Sequence, residues 1–197
     1  MTLDGYPASR GRSPVCGIDE AGRGPLAGPV VAAAVIMSPE CGLVSIVRDS
    51  KRLTPRKREE IFEQLTKSEQ VCFGAAQVDA EEIDRVNILQ ATLLAMKNAV
   101  SMLDIAPGFA LVDGNIAPDL SCECLPIVRG DVTEPLISAA SIIAKVIRDR
   151  YMVRMDEIYP GWGFASHKGY PTKAHYDAIA RIGICPIHRR SFRGVEA

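Results

Sequence analysis

Two apolar segments, residues 15–19 and 28–37, are rich in alanine and β-branched residues and are joined by a glycine-rich stretch that includes Gly22-Arg23-Gly24-Pro25. Short runs of this kind predict adjacent strands connected by a tight turn. The first run ends on two neighbouring carboxylates, Asp19 and Glu20. Two negative charges side by side at the end of an apolar strand repel each other unless a cation lies between them, so the pattern points to hard divalent-metal chemistry. A solvated strand end gives the same pair, and the rest of the chain has to decide between the two readings.

Further strands are predicted at 71–78, 109–113 and 125–128. The last two are bounded by glycine and proline, and each is followed closely by an aspartate, or ends on one. Helical signals alternate with them. Thr54 and Pro55 open a short amphipathic helix over 55–67, and Asn87 caps a long one whose apolar positions run from Ile88 to Leu103 at helical spacing. A third helix is predicted from 134 or 135 to 158, with Lys145, Arg148 and Arg150 beside its apolar stripe, and a fourth over 172–182. Strands first, helices interspersed and then clustered at the end, predict an α/β sheet domain with a helical C-terminal extension. The expected organisation is a flexible segment over 1–14, one domain over 15–193 with its extension at about 160–193, and a tail over 194–197.

At 197 residues and 47% hydrophobic content, with no apolar run long enough to span a bilayer, the chain is expected to bury one core and to avoid membranes. Residues 1–14 are polar and lack the apolar region of a signal peptide, so the expected compartment is the cytoplasm, with a monomer as the default state. Six cysteines include a Cys122-Glu123-Cys124 run without zinc-knuckle spacing, and are expected to be buried or free thiols. The net charge is −1 but unevenly placed. Residues 129–193 carry eleven Lys and Arg against six Asp and Glu, so the C-terminal third is suited to a polyanion, although solvated helix faces also produce such an imbalance.

If Asp19, Asp113 and Asp131 each end or follow a central strand, and Glu20 flanks the first, four carboxylates converge on one edge of the sheet. Oxygen ligands in that number suit one or two Mg²⁺ or Mn²⁺ ions and phosphodiester hydrolysis. Taken alone, Asp113-Gly114-Asn115 also reads as a turn and Gly130-Asp131 as a helix cap.

Seven segments settle the matter by resemblance: GIDEAGRGPLAGPVVAAAV from Gly17, DSKRLTPRKRE from Asp49, VDGN from Val112, GD at Gly130, AASIIAKVIRDR from Ala139, YPGWGFASHKGYPTKAH from Tyr159 and CPIHRRSF from Cys185. In this order and spacing the chain closely resembles the bacterial ribonuclease HII family from about Val15 to Phe192. The resemblance implies an RNase H-like fold, a mixed central sheet flanked by helices. It also implies metal-dependent endonucleolytic cleavage of RNA in RNA–DNA hybrids and of single ribonucleotides embedded in duplex DNA, leaving 5′-phosphate ends.

Position by position, Asp19, Glu20, Asp113 and Asp131 match the family's acidic quartet. Gly22, Arg23 and Gly24 match its ribose-reading motif, where glycines let backbone groups approach a 2′-hydroxyl. As a bare sequence this segment is a tight turn, and the dinucleotide-loop pattern is absent from it. Tyr170 matches the ring that packs on the deoxyribose beside the ribonucleotide. Ser50, Lys51, Ser141 and Lys145 resemble phosphate-contacting positions, and the last two, four apart, share one helix face. His188-Arg189-Arg190-Ser191 is open to either phosphate contact or capping and packing, while His167 and His175 carry no assigned role.

The chain departs from the family pattern at Glu134-Pro135, where a small or basic stretch is usual, and at Pro171, where glycine is commoner. Added negative charge near the quartet implies lower activity or an altered metal preference, and Pro171 implies a stiffer loop carrying the ring. Two rival readings remain at this stage, a nuclease of DNA junctions and a hybrid-binding module without catalysis.

Overall fold

The computed structural model describes residues 13–38, 40–47 and 54–195. Its centre is a five-stranded mixed sheet in the order β3-β2-β1-β4-β5. Strands β1 (Val15–Ala21), β2 (Val30–Met37) and β3 (Val71–Val78) pair antiparallel in sequence, and β4 (Phe109–Asp113) and β5 (Glu123–Ile127) extend the other edge parallel to β1. The parallel return from β3 to β4 requires a crossover. It is supplied by α3 (Ala80–Val86) and α4 (Ile88–Ser101), capped by Asp79 and Asn87, whose side-chain oxygens accept backbone N–H groups of the first turns.

Period-two alternation along β2 divides the core. Val31, Ala33, Val35 and Met37 face α1 (Leu43–Val47), α2 (Pro55–Lys67) and α6 (Pro135–Ile158), whereas Val30, Ala32 and Ala34 face α4. Both faces are covered, which explains why this strand is a continuous apolar run rather than an alternating one. The contact with α6 is close. A β-carbon on Gly17 in β1 would overlap the backbone of Leu136, so glycine is what allows the longest helix to lie against the central strand.

The predicted strands and long helices are present, with shifted ends. β1 continues past Asp19 to Ala21 because backbone pairing is indifferent to side-chain charge, and Asp19 and Glu20 pair with Ala33 and Ala32. β2 begins at Val30 rather than at 28, and β5 runs from Glu123 to Ile127 rather than over 125–128. Pro126 is tolerated there because β5 is an edge strand. The long helix predicted from Asn87 ends at Ser101. Four short helices were not anticipated: α1, α3, α5 (Gly130–Thr133) and α7 (Phe164–His167). Segments of four to seven residues complete too few turns to show periodicity.

The chain closes with α8 (Lys173–Ile182), capped by Thr172, and a segment that packs Phe192 against the α4 side and buries Val195 completely. All six cysteines are unpaired. No helix among the described residues is long and apolar enough to cross a membrane.

Candidate active site

The parallel pairing of β1 and β4 sets Cys16 beside Ala110, Gly17 beside Leu111 and Ile18 beside Val112. One step further along the same ladder, Asp19 and Asp113 lie on neighbouring strands at the same end of the sheet. From there β5 turns through Val128 and Arg129 into α5, and the Asp131 backbone N–H donates to Asp113 Oδ1 at 3.2 Å. Glu20 follows Asp19 directly, and the Asp19 carboxylate accepts its backbone N–H at 2.7 Å. Three distant stretches of sequence therefore meet at one sheet end, with the Asp19, Glu20 and Asp113 carboxylates close enough to feel one another and the Asp131 backbone beside them.

The electrostatics bear the mark of that crowding. Asp19 is only 5% exposed. Burial, then the charge of Glu20, push its carboxyl well above the ordinary range, with Asp113 adding to the effect and a hydrogen bond from the Ser141 hydroxyl opposing it. Glu20 is also raised, first by burial and then by Asp113, against the pull of the Arg23 guanidinium 3.2 Å away. Among the described residues no three His, Cys, Asp or Glu side chains are already gathered closely enough to hold an ion. The side chains explain why: Glu20 is turned toward Arg23, and Asp19 and Asp113 accept backbone N–H groups. The donor set nevertheless fits a hard divalent cation. It is all oxygen, mutually repelling and partly desolvated, and a cation would relieve its repulsion.

Beside the carboxylates lies the loop from Gly22 to Pro29. Gly22 takes φ +102°, and a β-carbon there would overlap the Nε of Arg148, so the loop is moulded around that side chain. A β-carbon built on Gly24 would stand 4.0 Å from the Tyr170 ring. Tyr170, 41% exposed, thus shares an open surface with the glycine loop. Ser141 and Lys145 come to the same region on one face of α6: the first reaches Asp19, and the second lies 5.8 Å from the centre of the Tyr170 ring. Lys145 also pairs with Asp149 at 2.6 Å, so its charge is partly neutralised within the helix. Ser50 and Lys51 lie outside the described residues.

Three residues that the sequence left open or unassigned find their places here. Arg189, open in the sequence to either phosphate contact or packing, takes the packing role. It is fully buried, and its guanidinium donates to the carbonyls of Gly22, Arg23, Pro25 and Gly28. Burial, with the neighbouring charge of Arg148, lowers its pKa to about 9. Arg148, placed by the sequence on a polar helix face, is fully buried as well, and donates to Ala27, Pro29 and Lys168 carbonyls. A glycine- and proline-rich loop has carbonyls that no ladder satisfies, and that need for donors was the available signal for both arginines. His175, given no role by the sequence, is completely buried. Its Nδ1 lies 3.0 Å from the Tyr170 carbonyl and its Nε2 3.1 Å from Nε2 of buried His188, whose Nδ1 accepts the Cys185 N–H at 2.9 Å. That acceptance fixes the tautomers, so His188 donates to His175 and His175 donates to the loop of Tyr170.

The Ribonuclease HII family model matches residues 16–195. The chain belongs to the ribonuclease HII family. A ribonuclease HII of Coxiella burnetii strain Dugway is 54% identical over 182 residues, covering 92% of this chain and 89% of that one. Among solved structures, the ribonuclease H2 of Pyrococcus horikoshii OT3 matches with a TM-score of 0.75 at 28% identity, over 92% of this chain and 94% of the other. The Archaeoglobus fulgidus RNase HII, solved as a complex with PCNA, matches with a TM-score of 0.75 at 29% identity, over 89% and 92%. Membership makes this chain a ribonuclease H of type 2, an endonuclease and phosphodiester hydrolase of a metal-dependent family acting on RNA-containing nucleic acid.

Proposed function

We propose that this enzyme cleaves the RNA strand of RNA–DNA hybrids and incises on the 5′ side of single ribonucleotides embedded in duplex DNA, leaving 5′-phosphate and 3′-hydroxyl ends. The observation that carries the reading is the juxtaposition of two unlike surfaces. The sheet end that carries Asp19, Glu20 and Asp113, with Asp131 following beside it, lies directly next to a glycine loop that faces an exposed tyrosine ring.

In this reading Asp19, Glu20, Asp113 and Asp131 hold Mg²⁺ or Mn²⁺. Bound there, a pair of such ions supplies activation of the attacking water and charge stabilisation at the leaving 3′ oxygen. The remaining work belongs to the chain. Ser141 holds the Asp19 carboxylate in place through its hydroxyl. The backbone of Gly22 to Gly24, free of β-carbons at both glycines, approaches the ribose closely enough to donate to and accept from a 2′-hydroxyl. The Tyr170 ring packs on the adjoining sugar and favours one that lacks the hydroxyl, so the pair reads a ribose-to-deoxyribose junction. Lys145, with Ser50 and Lys51, contacts phosphates without reading sequence.

Residues 15–193 act as one catalytic unit in this reading. Six unpaired thiols fit a reducing compartment, and the cytoplasm is the compartment this reading expects. The test is incision of a duplex carrying one ribonucleotide, beside an all-DNA duplex of the same sequence and a uniform hybrid. A single cut on the 5′ side of the ribonucleotide, with the all-DNA strand intact, is the expected result. Equal cutting of the all-DNA duplex would point instead to a nuclease of DNA structure.

A further inference from the structure

The two buried arginines divide the labour unequally. Arg189 donates only to the glycine loop, whereas Arg148 donates both to that loop, at Ala27 and Pro29 (3.1 and 3.0 Å), and to Lys168 (3.0 Å), two residues before Tyr170. Its Cζ lies 5.8 Å from the centre of the Tyr170 ring. A backbone bond from Leu26 N–H to the Gly169 carbonyl, 2.8 Å, ties the same two loops directly. Arg148 comes from the middle of α6, one turn beyond Lys145 and two beyond Ser141, so it is carried on the same rigid rod that presents Ser141 to Asp19. Carbonyls from two separate loops converge on one planar, five-donor group, and planar geometry fixes their spacing as a flexible ammonium cannot.

We propose that Arg148 is a positioning residue for junction specificity: its guanidinium sets the gap between the ribose-reading backbone and the Tyr170 ring. This rests on the functional reading above and deepens it. Catalysis at a uniform hybrid needs the carboxylates and the glycine loop, whereas discrimination for a lone ribonucleotide needs the ring at the correct distance from that loop. With the Arg148 bridge loosened, Arg189 still holds the glycine loop through the Gly22, Arg23, Pro25 and Gly28 carbonyls, so the two activities separate.

The experiment measures kcat/KM of Arg148→Lys on the single-ribonucleotide duplex and on the uniform hybrid, alone and in combination with Tyr170→Ala, with thermal melting as a check on folding. The junction-to-hybrid ratio is expected to fall about tenfold in Arg148→Lys. It is expected to fall no further when Tyr170→Ala is already present, because both changes act through one ring. Gly169→Ala supplies a second route that leaves Arg148 intact. Its β-carbon would stand 2.6 Å from the Ala27 carbonyl at a backbone φ of +81°, forcing the loops apart, and the same fall in ratio is expected, even if Arg148→Lys fails to fold. Equal losses on both substrates, in whichever variants fold, or full additivity with Tyr170→Ala, would overturn the proposal while leaving the functional reading standing. Wild-type protein that cuts the hybrid but ignores the single ribonucleotide would overturn both.

Discussion

Burial of Asp19 beside Glu20 and Asp113 costs folding free energy, because desolvation and like charge both disfavour the ionised form. Asp19→Asn should therefore cut hydrolysis more than about a hundredfold yet leave the thermal midpoint, measured in a chelator, equal to or above that of the wild type. A large drop in the midpoint would show the carboxylate to be structural. Arg189 predicts the opposite pattern. Arg189→Met strands four loop carbonyls in a buried setting and should destabilise by more than about 3 kcal/mol in denaturant titration. At this scale the Asp19-Glu20 pair stood out in the sequence because Asp-Glu before a glycine turn is chemically odd, whereas Asp113 and Asp131 alone read as a turn and a cap and joined it only through the family resemblance. Arg148 was not, since an arginine beside Lys145 and Arg150 looks like any solvated helix face. Only Arg150 behaves that way, pairing at the surface with Glu59 and Glu63 of α2.

Among the elements, the C-terminal segment is held by a polar chain rather than by apolar packing alone. Asp84 of α3 accepts the Arg190 and Ser191 N–H groups, and Cys185, His188 and His175 relay hydrogen bonds to the loop of Tyr170. Burial holds His188 down to about 4, with the neighbouring His175 adding to the effect. An unfolded histidine takes up a proton near pH 6.5, so between roughly pH 6.5 and 4 the unfolded chain binds more protons and this contribution to stability is lost as the pH falls. The thermal midpoint should decline across that window, and the decline should be shallower in His188→Gln, as followed by calorimetry at several pH values. Helix α6 makes a second demand. Gly17→Val would drive a side chain into the backbone of Leu136 and should cost about 1–3 kcal/mol, read as a lower denaturant midpoint with unchanged slope. Long elements such as α6 and β2 were visible in the sequence through their periodicity and β-branched content, whereas the histidine relay depends on a tertiary meeting that no local pattern records.

Across the whole molecule, the parallel return from β3 through α3 and α4 to β4 is what makes a site at all, since it sets β4 beside β1 with Asp113 at the same sheet end as Asp19. Helix α6 then crosses the sheet and carries Ser141 to Asp19 and Arg148 to the glycine loop and the loop of Tyr170. Glu134 stands at the hinge between α5 and α6, where its N–H donates to Gly130 and its carbonyl accepts from Ser138, so its departure from the family pattern leaves the register of both helices intact. The central claim is that four carboxylates from three separated segments form one metal centre. Anomalous diffraction from crystals soaked in Mn²⁺ with an uncleavable ribonucleotide-containing duplex tests it most directly. The account predicts density within about 2.0–2.3 Å of carboxylate oxygens drawn from β1, β4 and α5 together, and density absent from that sheet end, or bound by one segment alone, would contradict it.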